Sequence, residues 1–169
     1  RYRQAYTGTN KLTIIEPIAE RADLTKQLIG QAAGNRVTVT AKSTQQSPAH
    51  PAAAALDGQV DTRWCGDGPT MPSWLQLEFQ QPVSLSAAEI VWEFQHEWMR
   101  YTIETSGDGK VWRTAFDAAA NNQAGVRRDR FSAADVRYLR VNVLKQQRGM
   151  WPSVREVRLF DKTGSLLPV

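Results

Sequence analysis

From Arg36 onward, apolar residues recur at every second position in a series of short runs. Val37, Val39 and Ala41 alternate with Thr38 and Thr40, and Leu75, Leu77 and Phe79 alternate with Gln76, Glu78 and Gln80. Ile90, Trp92 and Phe94 alternate with Val91 and Glu93, and Leu139, Val141 and Val143 alternate with Arg140, Asn142 and Leu144. A period of two sends one face of a strand inward and the other toward water. Turn residues separate the runs: Ser47-Pro48, Asp57-Gly58, Gly66-Asp67-Gly68-Pro69, Gln81-Pro82, Gly107-Asp108-Gly109 and Asn121-Asn122. Many short strands, frequent turns and no long helical stripe predict an all-β, antiparallel β-sandwich. Residues 1–35 read differently. Lys11 to Ile15 suit a short strand, and Pro17 and Gly30 suit the first residue and the closing residue of a helix. The expected organisation is a linker or N-terminal extension over 1–35, a sandwich over 36–162 and a C-terminal tail over 163–169.

The length of 169 residues and the hydrophobic content of 41% suit one domain with an extension and a real core. No stretch approaches the roughly 18 apolar residues of a membrane-spanning helix. The net charge of +4 raises the question of nucleic acid, but the 21 Lys and Arg are dispersed among 17 acids. Arg127, Arg128 and Arg130, opposed by Asp129, form the densest basic group and read as a solvated strand end. Nucleic acid is therefore not expected as a partner. The single Cys65 excludes an internal disulfide.

Catalysis has little to stand on. There are two histidines, His50 and His96, and no nucleophile elbow, zinc-protease motif or phosphate loop. Cys65 and His96 have no local support as a nucleophile pair, and Cys65 beside Trp64 reads as a small hydrophobe. Glu89 and Glu93 could act as acid and base only if both lined one cleft. On strands they are expected to face water, and the chain is read as no enzyme.

One stretch carries more information than any other: Ala54-Ala55-Leu56-Asp57-Gly58-Gln59-Val60-Asp61-Thr62-Arg63-Trp64. It is followed in order by Trp74-Leu75-Gln76, Trp92-Glu93, Tyr101-x-Ile103-x-x-Ser106-x-Asp108-Gly109-x-x-Trp112, Arg137-Tyr138-Leu139-Arg140 and Trp151-x-Ser153-x-x-Glu156. This order resembles the discoidin domain, or coagulation factor V/VIII type C domain, over about residues 36–161. Its bacterial relatives include the family 32 carbohydrate-binding modules. The resemblance implies an eight-stranded jelly roll of the galactose-binding-domain-like kind. It also implies a non-catalytic carbohydrate-binding module, covalently linked to other domains as an accessory part of a larger secreted bacterial protein, extracellular or periplasmic.

Ca²⁺ takes six to eight hard oxygens, several of them backbone carbonyls. A tight loop can turn carbonyls inward, Gly58 relaxes the backbone, and Asp57 supplies a carboxylate. The resemblance implies a structural Ca²⁺ held by Asp57 and Glu156, both oxygens of Thr62, and the carbonyls of Ala54, Gln59 and Arg155. Asp61 caps the turn or joins the ligands, and the bare alternative is a plain Asp-Gly turn with Glu156 paired to an Arg. Arg155, next to Glu156, must turn its guanidinium away from the ion.

Tryptophan serves both as a large core residue and as a stacking platform for sugar rings. Of the six, Trp64 packs under the acidic loop, Trp74 begins a strand, Trp92 is in phase with Ile90, Trp112 caps the core and Trp151 precedes the last strand. Trp98 has no inward phase and lies in Gln95-His96-Glu97-Trp98-Met99-Arg100. The resemblance places a sugar site in the loops at one end of the sandwich. Trp98 is then the expected platform, with His96 and Arg100 as donors and Asp67 and Arg148 from bordering loops; the alternative is that Trp98 merely covers the end of the sandwich. The expected ligand is a glycan, galactose-type or acidic. A protein-interaction or assembly module on the same fold is one alternative. A membrane-surface module with Met71, Trp98 and Met150 as spikes is another, disfavoured by Glu97 and Asp67 among them.

Overall fold

The computed structural model describes residues 2–6, 12–17, 36–45 and 49–169, the first two stretches as backbone only. The chain divides into two compact units, residues 1–34 and 35–167. In the first, β1 (Tyr2–Tyr6) and β2 (Leu12–Pro17) form an antiparallel pair. The short strand expected over Lys11–Ile15 is β2, and it runs on to Pro17. The helix expected between Pro17 and Gly30 and the Ser47-Pro48 turn lie outside the described residues.

The second unit is an antiparallel β-sandwich. Its strands are β3 (Val37–Ala41), β4 (Trp64–Cys65), β5 (Ser73–Trp92), β6 (Met99–Ser106), β7 (Arg113–Asp117), β8 (Arg128–Gln146) and β9 (Ser153–Asp161), with one 3-10 turn over Ala52–Leu56. All pairings are antiparallel. The first half of β5 pairs with β3 and with the second half of β8, which in turn pairs with β6, and β6 pairs with β7. The second half of β5 pairs with the first half of β8 and with β9, which carries β4 on its far side. β5 and β8 therefore belong to both layers. Among the described residues this unit has seven continuous strands, where the resemblance implied eight.

Gln81-Pro82, expected as a turn between two strands, is instead a bend inside β5. The β5–β8 register slips between Glu78 and Val83 and again up to Ala87. Proline lacks the N–H that a ladder needs, so the pairing breaks there and the strand can pass from one layer to the other. Residues 163–167 also differ from the expected tail. They turn back on β9, where Leu167 N–H donates to the Leu159 carbonyl at 2.8 Å and the Leu167 side chain packs on the core.

The alternating residues meet as the pattern requires. Leu75, Leu77 and Phe79 of β5 and Leu139, Val141 and Val143 of β8 are fully buried. Ile103 of β6 joins them, with Ile90, Val157 and Leu159 from the other layer. Trp64 is fully enclosed, and its indole N–H donates to the Ser43 carbonyl at 3.1 Å. Trp92 is buried and packs on Tyr101 at 5.1 Å between ring centroids. Trp112 and Trp74 lie on an outer face. Trp112 does not cap the core. It covers the outward side of β8, edge-on to Tyr138 at 6.4 Å, with the Arg140 guanidinium 4.0 Å from its ring. The same guanidinium lies 4.8 Å from Trp74 and donates to Gln76 Oε1 at 2.8 Å. An indole on an outer strand position can be shielded by a stacked guanidinium as well as by a core.

Trp92→Ala is expected to cost about 3–5 kcal/mol in denaturant unfolding, since it empties a large core position. Trp112→Ala, which loses stacking on an outer face, should cost about 1–2 kcal/mol. Equal losses would return Trp112 to the core.

Candidate functional site

The acidic loop follows the 3-10 turn. Thr62 Oγ1 lies 2.9 and 2.8 Å from the two Asp57 carboxylate oxygens. It is also 2.8 Å from the Gln59 carbonyl and 3.4 Å from the Ala54 carbonyl. A hydroxyl carries one proton and can satisfy one acceptor at a time. Four acceptor oxygens around a single hydroxyl form an oxygen-rich cluster short of positive charge. Glu156 of β9 completes it. The Gly58 N–H donates to its carboxylate, and burial followed by the nearby Asp57 charge pushes its pKa up. Glu156 Oε2 is buried without a hydrogen-bond partner. The Arg155 guanidinium donates to the Val60 carbonyl at 2.6 Å, not to either carboxylate. Among the described residues no three His, Cys, Asp or Glu side chains cluster. The donors here are instead two carboxylates, a hydroxyl and carbonyls, the oxygen chemistry that suits Ca²⁺. The residues fit the ion.

A second feature is a cleft of about 300 Å³ where β4, the end of β5 and the loop before β9 meet. On one side Arg63 Nε pairs with Glu93 Oε1 at 3.1 Å. On the other are Phe94, Met150 and Trp151. Trp151 is 37% exposed, so part of its indole is open to a ligand. Gln45 adds an amide, and Cys65 lies in the wall as a free, buried thiol whose pKa burial pushes up. An exposed indole beside a polar pair that can both donate and accept is the usual chemistry of a hydroxyl-rich ligand.

Of the residues expected to bind ligand, Trp98 lies half-buried at the start of β6, with the Arg100 guanidinium 4.7 Å over its ring. Arg100 Nε is committed to the Asn121 carbonyl at 3.3 Å. His96 is exposed. Arg148 is exposed, and its Nε pairs at 2.9 Å with Glu97 Oε1, a carboxylate that is 7% exposed. Trp98 N–H donates to Gln147 Oε1 at 3.2 Å, so the loop with His96 and Trp98 is tied to the loop with Arg148 and Trp151. Asp67 is exposed and anchored through its own N–H to Ser43 Oγ at 3.1 Å. The cleft itself is lined by Trp151, Arg63 and Glu93 rather than by Trp98, His96 or Asp67. No sequence signal marks Trp151, which immediately precedes a strand, or Arg63, which sits inside the acidic-loop motif. Glu89 and Glu93 do not share a cleft. Glu89 pairs with Arg128 at 2.9 Å and Arg158 at 3.7 Å, and neither carboxylate simply faces water.

The second unit is thus an antiparallel sandwich with a cleft among the loops where β4, the end of β5 and the start of β9 meet. The chain belongs to the F5/8 type C domain family, whose model matches residues 38–157. Solved structures share the fold at low identity. One is a pectin-binding carbohydrate-binding module, 22% identical, with a TM-score of 0.62 over 76% of this chain and 93% of that one. Another is chitosan-binding module 1 of a chitosanase/glucanase from Paenibacillus sp. IK-5, 23% identical, with a TM-score of 0.65 over 76% of this chain and 97% of that one. A third is a family 32 module from Clostridium perfringens in complex with galactose, 18% identical, with a TM-score of 0.62 over 73% and 92% of the two chains. No curated protein matches the chain.

The raised pKa of Glu156 gives a signed expectation. Stability from this group is fullest with the carboxyl protonated and is lost as pH rises through its folded pKa. In metal-free buffer at pH about 7, Glu156→Gln should therefore raise the melting temperature, and it should flatten the fall between acid and neutral pH. A lower melting temperature in the variant would show that the carboxylate is already compensated.

Proposed function

We propose that this chain is a non-catalytic carbohydrate-binding module that holds a saccharide in the cleft between Trp151 and the Arg63–Glu93 pair. The cleft carries the reading: its indole is open, its ion pair is within reach, and its volume suits a sugar. The neighbouring folds named for pectin, chitosan and galactose support it. Trp98, His96, Arg100 and Arg148 form the rim on the adjoining loops, and Asp67 borders it. The module serves as an accessory domain of a larger secreted bacterial protein, extracellular or periplasmic. Galactose-type and acidic glycans are the first ligands to test. An assembly module or a membrane-surface module on the same fold lacks a specific observation in its favour, and Glu93, Glu97 and Asp67 around the cleft oppose an anionic membrane.

A shallow site with a few stacking and hydrogen-bond contacts should bind with a Kd on the order of 0.1–1 mM. Calorimetry against galactose, chitotriose and pectin oligomers checks this. Trp151→Ala should weaken any measured binding at least about tenfold without moving the melting temperature appreciably, because a rim indole contributes little to the core. Trp98→Ala should weaken it less. Binding lost only with Trp98→Ala would move the platform to Trp98. Binding to none of the three, or binding indifferent to both variants, would sink the reading.

We also propose that Asp57, Glu156, Thr62 and the carbonyls of Ala54, Gln59 and Arg155 hold a structural Ca²⁺. When bound, the ion would supply the positive charge the oxygen cluster lacks and join the acidic loop to β9. Ca²⁺ should then raise the melting temperature by mass action and a chelator should reverse it. Asp57→Ala should abolish the response, and an unchanged response in that variant would place the ion elsewhere.

A further inference from the structure

Asp129 stands among Arg127, Arg128 and Arg130, yet it does not belong to a solvated strand end. It is 2% exposed and faces inward. Tyr101 of β6 donates its hydroxyl proton to Asp129 Oδ2. Arg127 Nε donates to Oδ1 at 3.1 Å, and Arg127 Nη2 reaches the Tyr101 hydroxyl at 3.4 Å. On the remaining side β5 presents Ala88, the register partner of Asp129. Among the described residues, Tyr101 and Arg127 are thus the titratable and charged groups that face this carboxyl.

The network continues outward. Arg127 Nη1 donates to Asn121 Oδ1 at 3.1 Å. The Asn121 amide donates to the carbonyls of Met99 and Gln123, both at 2.9 Å. The Asn121 carbonyl accepts from Arg100 Nε, and the Arg100 guanidinium lies over Trp98. Trp98 also bridges to Ala124 of the same connection between β7 and β8. A chain of bonds therefore runs from a buried carboxylate to the rim of the loop end. Asp129 is the carboxylate that Arg127 pairs with, so its charge is the main electrostatic anchor that holds the Arg127 guanidinium in this chain of bonds.

We propose that Asp129 and Arg127 are positioning residues for the binding end: their ion pair fixes the 118–127 connection and, through Asn121 and Arg100, the placement of Trp98, so that protonating Asp129 releases Trp98. The proposal rests on the reading of this end as the binding end. Burial raises the Asp129 pKa and outweighs the opposing effects of Tyr101 and Arg127, so release occurs above the ordinary aspartate range. Because the folded value is raised, the stability tied to this carboxyl is fullest in acid and falls as pH rises through it. Acid thus frees the rim without unfolding the sandwich through this group.

The test uses the full chain labelled with 5-fluorotryptophan. The Trp98 fluorine resonance is assigned by Trp98→Phe. A His96→Gln background removes the neighbouring imidazole from the readout. The Trp98 resonance should move on acidification with a midpoint above about 3.9, the ordinary aspartate value. The resonance of fully buried Trp64 should stay in place. Asp129→Asn should hold Trp98 at its acid position at pH about 7 and abolish the titration. A titration that persists in Asp129→Asn overturns the proposal, as does a Trp64 resonance that moves in step. Should Asp129→Asn not fold, the labelled parent decides alone: a Trp98 resonance stationary down to pH about 4 overturns it. No glycan enters the measurement, so its failure and the failure of saccharide binding are read separately.

Discussion

The ladder between β5 and β8 is the constraint on which the sandwich depends. Both strands run through both layers, and each layer is built outward from its half of that ladder. β3, β6 and β7 are added on one half, β9 and β4 on the other. The register slips around Pro82 let the pair change layers without a break in either chain. One consequence is that the end of β5, the end of β8 and the start of β9 all arrive at the same end of the molecule. The cleft of Trp151, Arg63 and Glu93 lies there because the ladder delivers its loops there.

Buried carboxylates are the second theme, and the fold treats them in three ways. Asp129 receives two donors from side chains. Glu97 receives one, from an exposed arginine, and leaves its second oxygen unpartnered. Glu156 is held by backbone N–H groups next to another carboxylate and likewise leaves one oxygen unpartnered. A buried carboxylate without compensation is costly, so each marks a place where the surroundings are incomplete or tightly set.

Much of the architecture was legible in the sequence because burial in a sandwich has a period of two. Leu75, Leu77, Phe79, Leu139, Val141 and Val143 all fall where alternation places them. The proximity of Asp57 and Glu156 was legible only through the family resemblance, since no local pattern links positions so far apart. Gln81-Pro82 misled because proline signals both a turn and a bend in a strand. Trp112 misled because an indole shielded by stacked Arg140 and Tyr138 looks like a core residue in the sequence. Asp129 was hidden by its neighbours, since three arginines around one acid suggest water. Trp151 was hidden by its position just before a strand, where its exposure depends on a loop path that alternation does not encode.

The place of β9 has a consequence for how the molecule comes into being. It lies between β4 and β5, at the centre of its layer, yet it is the last of the described strands in chain order. Until residues 153–161 have emerged, that layer lacks its middle and the acidic loop lacks Glu156. Contacts of such long sequence separation form slowly, because the whole chain between them must first be organised. The sandwich can therefore close only once residues 153–161 are available to it. A chain truncated shortly before Ser153 would expose the edges of β4 and β5 together, an invitation to pair with other chains.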